Sequence, residues 1–124
     1  MRAERDRLMD ILDSIAIIEH YTAGMDSTAF ISAFDRDRLL ADTVCYRFIV
    51  IGEGINALLG NPQSGLAPAA IIDRYPDIDW KGYAALRNIV THQYFRLSPD
   101  KIWAAIESEL PVLKKTVAAA LQLV

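Results

Sequence analysis

The chain is poor in the residues that build cross-links and metal centres. Among 124 residues there is one cysteine, Cys45, and there are two histidines, His20 and His92. A lone cysteine excludes an internal disulfide framework and suits a reducing compartment. One Cys and two distant His make no metal cluster without many carboxylates, so neither a metal nor a cofactor is expected. No long apolar run exists. Stretches such as residues 48–51 are far too short to span a bilayer. The opening MRAERDRLMD alternates charges and lacks the apolar core of a signal peptide, so a soluble, cytoplasmic protein without membrane contact is expected. Nor is there an excess of positive charge. Thirteen Lys and Arg face sixteen Asp and Glu, a net charge of −3. This argues against a strongly basic nucleic-acid binder but leaves room for a local basic site.

Apolar content is high, at 52%. That excludes a disordered chain. The length suits a single domain, residues 1–124, able to hide roughly two thirds of its unfolded surface.

Periodicity is helical almost throughout. Leu8, Ile11, Leu12, Ile15 and Ile18 form the stripe of an amphipathic helix over residues 3–21, stopping near Gly24. Asp26 or Ser27 caps a short helix through Phe34, and Asp35 caps the next. Leu39, Leu40, Val44, Phe48, Ile51, Ile55 and Leu59 mark a long helix ending at Gly60. Gly52 and Gly54 weaken it but permit close backbone packing. Asn61 to Leu66 is a loop. Pro68 opens a helical turn ending near Tyr75, and residues 76–79 form another turn. One helix is expected over residues 80–95. Another starts at Ser98-Pro99 and runs toward Gln122, kinked by Pro111. No segment alternates as a strand. The expected fold is all-α: an antiparallel bundle of four to five helices plus short helical turns.

The informative segment is Arg87-Asn88-Ile89-Val90-Thr91-His92-Gln93-Tyr94. On an ideal helix at about 100° per residue, Tyr83, Leu86, Ile89 and Val90 fall on one face. Arg87, Asn88, Thr91, His92 and Tyr94 share the other, with Ala84 and Ala85 among them. An ordinary solvated face carries more Glu and Lys. This set suits phosphate chemistry. Arg87 can hold two phosphate oxygens and stabilise transition-state charge. His92, near pKa 6.5 when unperturbed, can give or take protons at neutral pH. Asn88 could orient His92 or bind substrate, and Tyr94 offers a hydroxyl and a stacking surface. An RNA 2′-hydroxyl attacking its own phosphate needs only these functions. The bland alternative is a plain surface, because an Arg–x4–His spacing is a weak pattern. Spacing also leaves Arg87 and His92 about 140° apart, a gap that a symmetric dimer would relieve.

These residues resemble the Arg–x4–His–x–Tyr motif of HepT-like toxins, within the HEPN ribonuclease superfamily. Further matches follow in order along the chain: Ile18-Glu19-His20-Tyr21, Ile51-Gly52-Glu53-Gly54 (Ile-Gly-Glu-Ala in the family), Ile78-Asp79-Trp80, Tyr94-Phe95 and Trp103. The resemblance implies a HEPN fold and a homodimer with a composite site at its interface. It implies a metal-independent endoribonuclease, the toxin of a toxin–antitoxin pair, acting on transfer or messenger RNA. Arg87 and His92 would carry catalysis. The implied partner is an MNT-type nucleotidyltransferase antitoxin able to transfer AMP onto the motif tyrosine, here Tyr94. The position after the arginine is often Asp and is Asn88 here, which leaves any acidic role there without its carboxylate.

Glu53 reads as a carboxylate near the dimer cleft, pairing with Arg87, or equally as an interhelical ion pair. Arg96 extends the phosphate site. Arg36, Arg38 and Arg47 interleave with Asp35, Asp37 and Asp42 as a solvated face, from which Arg47 could still reach RNA. Cys45, Trp80 and Trp103 read as packing residues, and His20 as a cation at a helix end. Two other functional readings stand beside the nuclease. One is a non-catalytic interaction or nucleotide-binding module that partners a nucleotidyltransferase. The other is a helical dimer whose cleft holds a phosphorylated metabolite.

Overall fold

A computed structural model of the chain describes residues 3–91 and 98–124. Three substantial helices come first: α1 (Glu4–Thr22), α2 (Ser27–Arg36) and α3 (Arg38–Leu59). Three short ones follow: α4 (Ala70–Arg74), α5 (Trp80–Ala84) and α6 (Leu86–Thr91). The last helical stretch comprises α7 (Pro99–Ala104), a π-helical segment (Ala105–Glu109) and α8 (Leu110–Leu121). Among the described residues there is no strand, only one isolated bridge between Asn61 and Leu66. The all-α expectation is met.

Helix α3 is the axis of the bundle. Its apolar stripe, Val44, Phe48, Ile51 and Ile55, is fully buried. Helix α1 packs along it with Leu8, Ile11, Ile15 and Ile18, all 0–1% exposed. The two run antiparallel: the space beside Gly54 is closed by Ile11, while Glu4 and Arg7 lie against the far end of α3 near Gly60. Helix α8 returns along α1, with Lys114 paired to Glu19 at 3.0 Å and Arg5 donating to the Val124 carbonyl. Helix α2 closes the other end, where Phe30 packs against Phe34 and Trp103 with ring centres 5.7 and 5.3 Å away.

Three local expectations are corrected, and the expected disturbance at Pro111 takes a specific form. Helix α2 runs two residues beyond Phe34, so Asp35 is still helical and cannot cap. Asp37 is extended (φ −107°, ψ 98°), and its carboxylate accepts from Leu40 N at 3.2 Å. The single helix expected from Trp80 is broken at Ala85, where Asn88 N bonds to the Ala85 carbonyl at 2.9 Å, a tighter three-residue turn. This tightening lays the 84–87 backbone directly on Gly52 of α3. The helix before Pro111 is accommodated by π geometry. Pro111 has no N–H for the carbonyl four residues back and its ring crowds it, and a wider turn relieves both. Finally, Arg47 is only half solvated. Its Nε is buried without a hydrogen-bond partner, and the guanidinium lies 5.3 Å from the Tyr46 ring centre.

Candidate active site

The C-terminal half of α3 builds one wall of the site. Gly52 is buried there because nothing larger fits. An added Cβ would lie 2.8 Å from the Ala84 carbonyl oxygen and 2.9 Å from Arg87 Cβ. This close approach draws α5 and α6 onto α3. Two more contacts fix the pair of short helices. Asp79 caps α5 by accepting from Gly82 N at 3.0 Å. Tyr83 is buried and its hydroxyl donates to the Glu109 carbonyl at 3.2 Å. Burial, then the Glu109 and Asp79 carboxylates, raise the Tyr83 phenol above its ordinary pKa, so it stays a donor.

With the backbone so held, Arg87 emerges beside Glu53, one residue along from Gly52. Arg87 Nη1 donates to Glu53 Oε1 in a short ion pair. The two side chains are 37% and 54% exposed, so the pair contributes little to stability, about 0–1 kcal/mol. Its consequence is geometric. It sets the guanidinium beside the Glu53 carboxylate on the outer side of α3.

The guanidinium stands at the rim of an open cavity of about 490 Å³. Leu59, Ala84 and Ala85 line it, together with the polar side chains of Asn56, Lys81 and Asn88. Lys81 and Arg87 put two cations on one wall, which suits an anionic ligand. Asn88 is exposed, as its place on the polar face requires. Ala84 is not exposed on that face. It is 9% exposed because its turn rests on α3. Leu86 and Val90 are buried at 6% and 5%, as the helical phase demands.

The structure thus brings Arg87 and Asn88 together at one cavity, with Glu53 paired to Arg87. The side chain of Thr91 lies outside the described residues, as do His92, Tyr94 and Arg96. Sequence reasoning passed over Asn56 and Lys81. Asn56 lies three residues after Glu53, a spacing that puts both on one helix face and could have flagged it. Lys81 carries no such signal, because its position depends on the turn at Ala85. Among the described residues, no three His, Cys, Asp or Glu side chains gather where they could hold a metal ion, and no helix is long and apolar enough to cross a membrane.

Fold and site together define an all-α bundle that holds an arginine–carboxylate pair at the rim of a cation-lined cavity. The chain belongs to the HepT-like ribonuclease family, whose model matches residues 11–120, and this places it among RNA-cleaving enzymes. Similar proteins carry concordant names. A "Putative RNase" of Methanocaldococcus jannaschii is 30% identical over 84% of this chain and 75% of its own length. A "Probable ribonuclease HepT" of Thermococcus cleftensis is 25% identical over 91% of each chain. A "Gamma-glutamylcyclotransferase and putative RNase" of M. jannaschii is 30% identical over 89% of this chain, which spans only 44% of that longer protein. No solved structure matches the chain.

Proposed function

We propose that the protein is a metal-independent endoribonuclease and the toxin of a toxin–antitoxin pair. The observation that carries this reading is the Glu53-paired Arg87 guanidinium at a cation-lined cavity, in a chain of the HepT-like ribonuclease family. In this reading a substrate 2′-hydroxyl attacks the adjacent phosphorus and the bond to the 5′-oxygen of the next nucleotide breaks. Arg87 stabilises the charge that builds on the phosphoryl oxygens, with Glu53 orienting it. His92 moves the proton, from the attacking hydroxyl or onto the leaving oxygen. Asn88, Thr91 and Arg96 position the phosphate. Two copies of the chain form the composite site, because helical spacing alone sets Arg87 and His92 far apart. A nucleotidyltransferase antitoxin silences the toxin by transferring AMP to Tyr94, which places a bulky anion beside Arg87.

The test is cleavage of total transfer RNA and a defined messenger RNA in EDTA. Wild type should cleave both with EDTA present, or one selectively. Arg87→Ala and His92→Ala should each lose about 10²–10⁴-fold in rate. Equal cleavage by all three purified proteins would refute the assignment. Tight association with the nucleotidyltransferase and no turnover by unmodified wild type would favour the interaction module. AMP addition is read by intact mass after incubation with the partner and ATP, and should vanish in Tyr94→Phe.

A further inference from the structure

A second cavity adjoins the first. It measures about 400 Å³ and lies between the start of α1, the end of α3 and the loop that follows. That volume falls within the roughly 300–1,000 Å³ typical of small-ligand sites. Two residues, Asn56 and Gly60, line both cavities. Asn56 lies in the last turn of α3 and Gly60 caps its end, so the end of that helix forms the boundary between the two hollows.

The far cavity has a distinct chemistry. Its walls are mostly apolar, from Ala57, Leu58 and Leu66. Its polar groups are the Asn56 and Asn61 amides, the Arg7 guanidinium and the Glu4 carboxylate. Glu4 is fixed in place, since its Oε1 accepts from Ile71 N at 3.1 Å. With one carboxylate and one guanidinium in its lining this cavity carries no net positive charge, so it is poorly suited to a phosphate. Apolar walls, amides with donor and acceptor edges, a fixed carboxylate and a guanidinium plane instead match a nucleobase. Bases offer N–H groups and ring acceptors on a flat face that stacks on apolar and guanidinium surfaces. The near cavity, by contrast, has Lys81 and Arg87 on its wall.

We propose that the far cavity is a nucleobase subsite that seats an unpaired RNA nucleotide flanking the scissile phosphate. The strand runs from Arg87 over Asn56 to Arg7. This rests on the nuclease reading for its direction from the scissile phosphate, but the binding itself is independent of cleavage. It makes single-stranded RNA the preferred substrate, because a base can enter the far cavity only when it is splayed out of a duplex.

The test is binding of 2′-O-methyl oligonucleotides, which lack the attacking hydroxyl, measured by fluorescence anisotropy. Wild type should bind a six-nucleotide strand at least about tenfold tighter than a dinucleotide, as stacking of one further base predicts. Arg7→Gln and Ala57→Leu should each remove most of that length gain. Both positions are on the surface of helices, and Leu fills the cavity while remaining a good helix former. Absence of a length gain in wild type, or its survival in either variant, overturns the subsite. Length-dependent binding without cleavage of unmodified RNA would sink the nuclease reading and leave the subsite standing. Cleavage without a length gain would do the reverse.

Discussion

Gly52 shows how a single missing methyl group can position a functional side chain. The site needs Arg87 beside Glu53, and that needs the backbone of residues 84–87 pressed against α3. Gly52→Ala places a Cβ inside that contact, against backbone atoms that cannot rotate away. We expect a loss of about 1–3 kcal/mol in stability, together with a fall in RNA cleavage larger than the folded fraction explains. Chemical denaturation and activity on the same preparation check this. Gly54 is a milder case. An alanine there would meet Ile11 Cγ1 at 3.2 Å, a side-chain atom that need yield only a few tenths of an ångström. Cys45 illustrates the opposite relation of residue to function. Burial, with Asp42 adding to it, pushes its thiol up to about 11 from 9.0. The native state therefore holds this proton more tightly than the unfolded chain, so its contribution to stability is complete below pH 9 and is lost as pH rises through 11. At pH 8 the native thiol should alkylate at least about tenfold more slowly than the urea-unfolded thiol, since only the thiolate reacts and its greater nucleophilicity offsets part of its scarcity. An equal rate in both states would contradict the burial argument.

At the scale of the element, the boundaries follow capping groups rather than composition. Asp35 and Asp37 are both suited to a cap, and only the backbone distinguishes them. Asp37 leaves the helical region and satisfies Leu40 N, while Asp35 remains inside α2. Asp37→Ala should cost about 1 kcal/mol in thermal or denaturant unfolding, and Asp35→Ala less than about 0.5. The stretch from Pro99 to Leu121 reads as one long helix in sequence and is one in space, but with a π segment before Pro111. That segment turns the Glu109 carbonyl toward Tyr83, so a distortion imposed by a proline also anchors α5 near the site. The break at Ala85 has the same character. It shortens α5 to a single turn that could not persist alone, and contacts with α3 hold both α5 and α6.

For the whole molecule, stability and function occupy different layers. The core is the seam among α1, α3 and α8, where Ile11, Ile51, Leu113 and Val117 are completely buried. Leu113→Ala should destabilise by about 2–5 kcal/mol through the cavity it leaves. The neighbouring surface pair between Lys114 and Glu19 is half exposed, and Lys114→Ala should cost less than about 1 kcal/mol. Comparing the two midpoints in urea checks the contrast. The candidate site lies on the outer side of the same α3, so substitutions at Arg87 or Asn88 should spare folding while removing activity.

The all-α fold, the buried stripes of α1 and α3, and the exposure of Asn88 beside buried Leu86 and Val90 were legible in the sequence. They depend on the 3.6-residue period and on side-chain chemistry, both of which are local properties of the chain. The pairing of Glu53 with Arg87 was legible only as one of two possibilities, because thirty-four residues separate them and periodicity carries no distance information. The break at Ala85, the choice of Asp37 over Asp35 and the burial of Ala84 were decided by packing against other helices. The same is true of the cavity shared by Asn56, Lys81 and Asn88. These features arise where segments distant in sequence exclude one another's atoms, and the chain determines them only when folded.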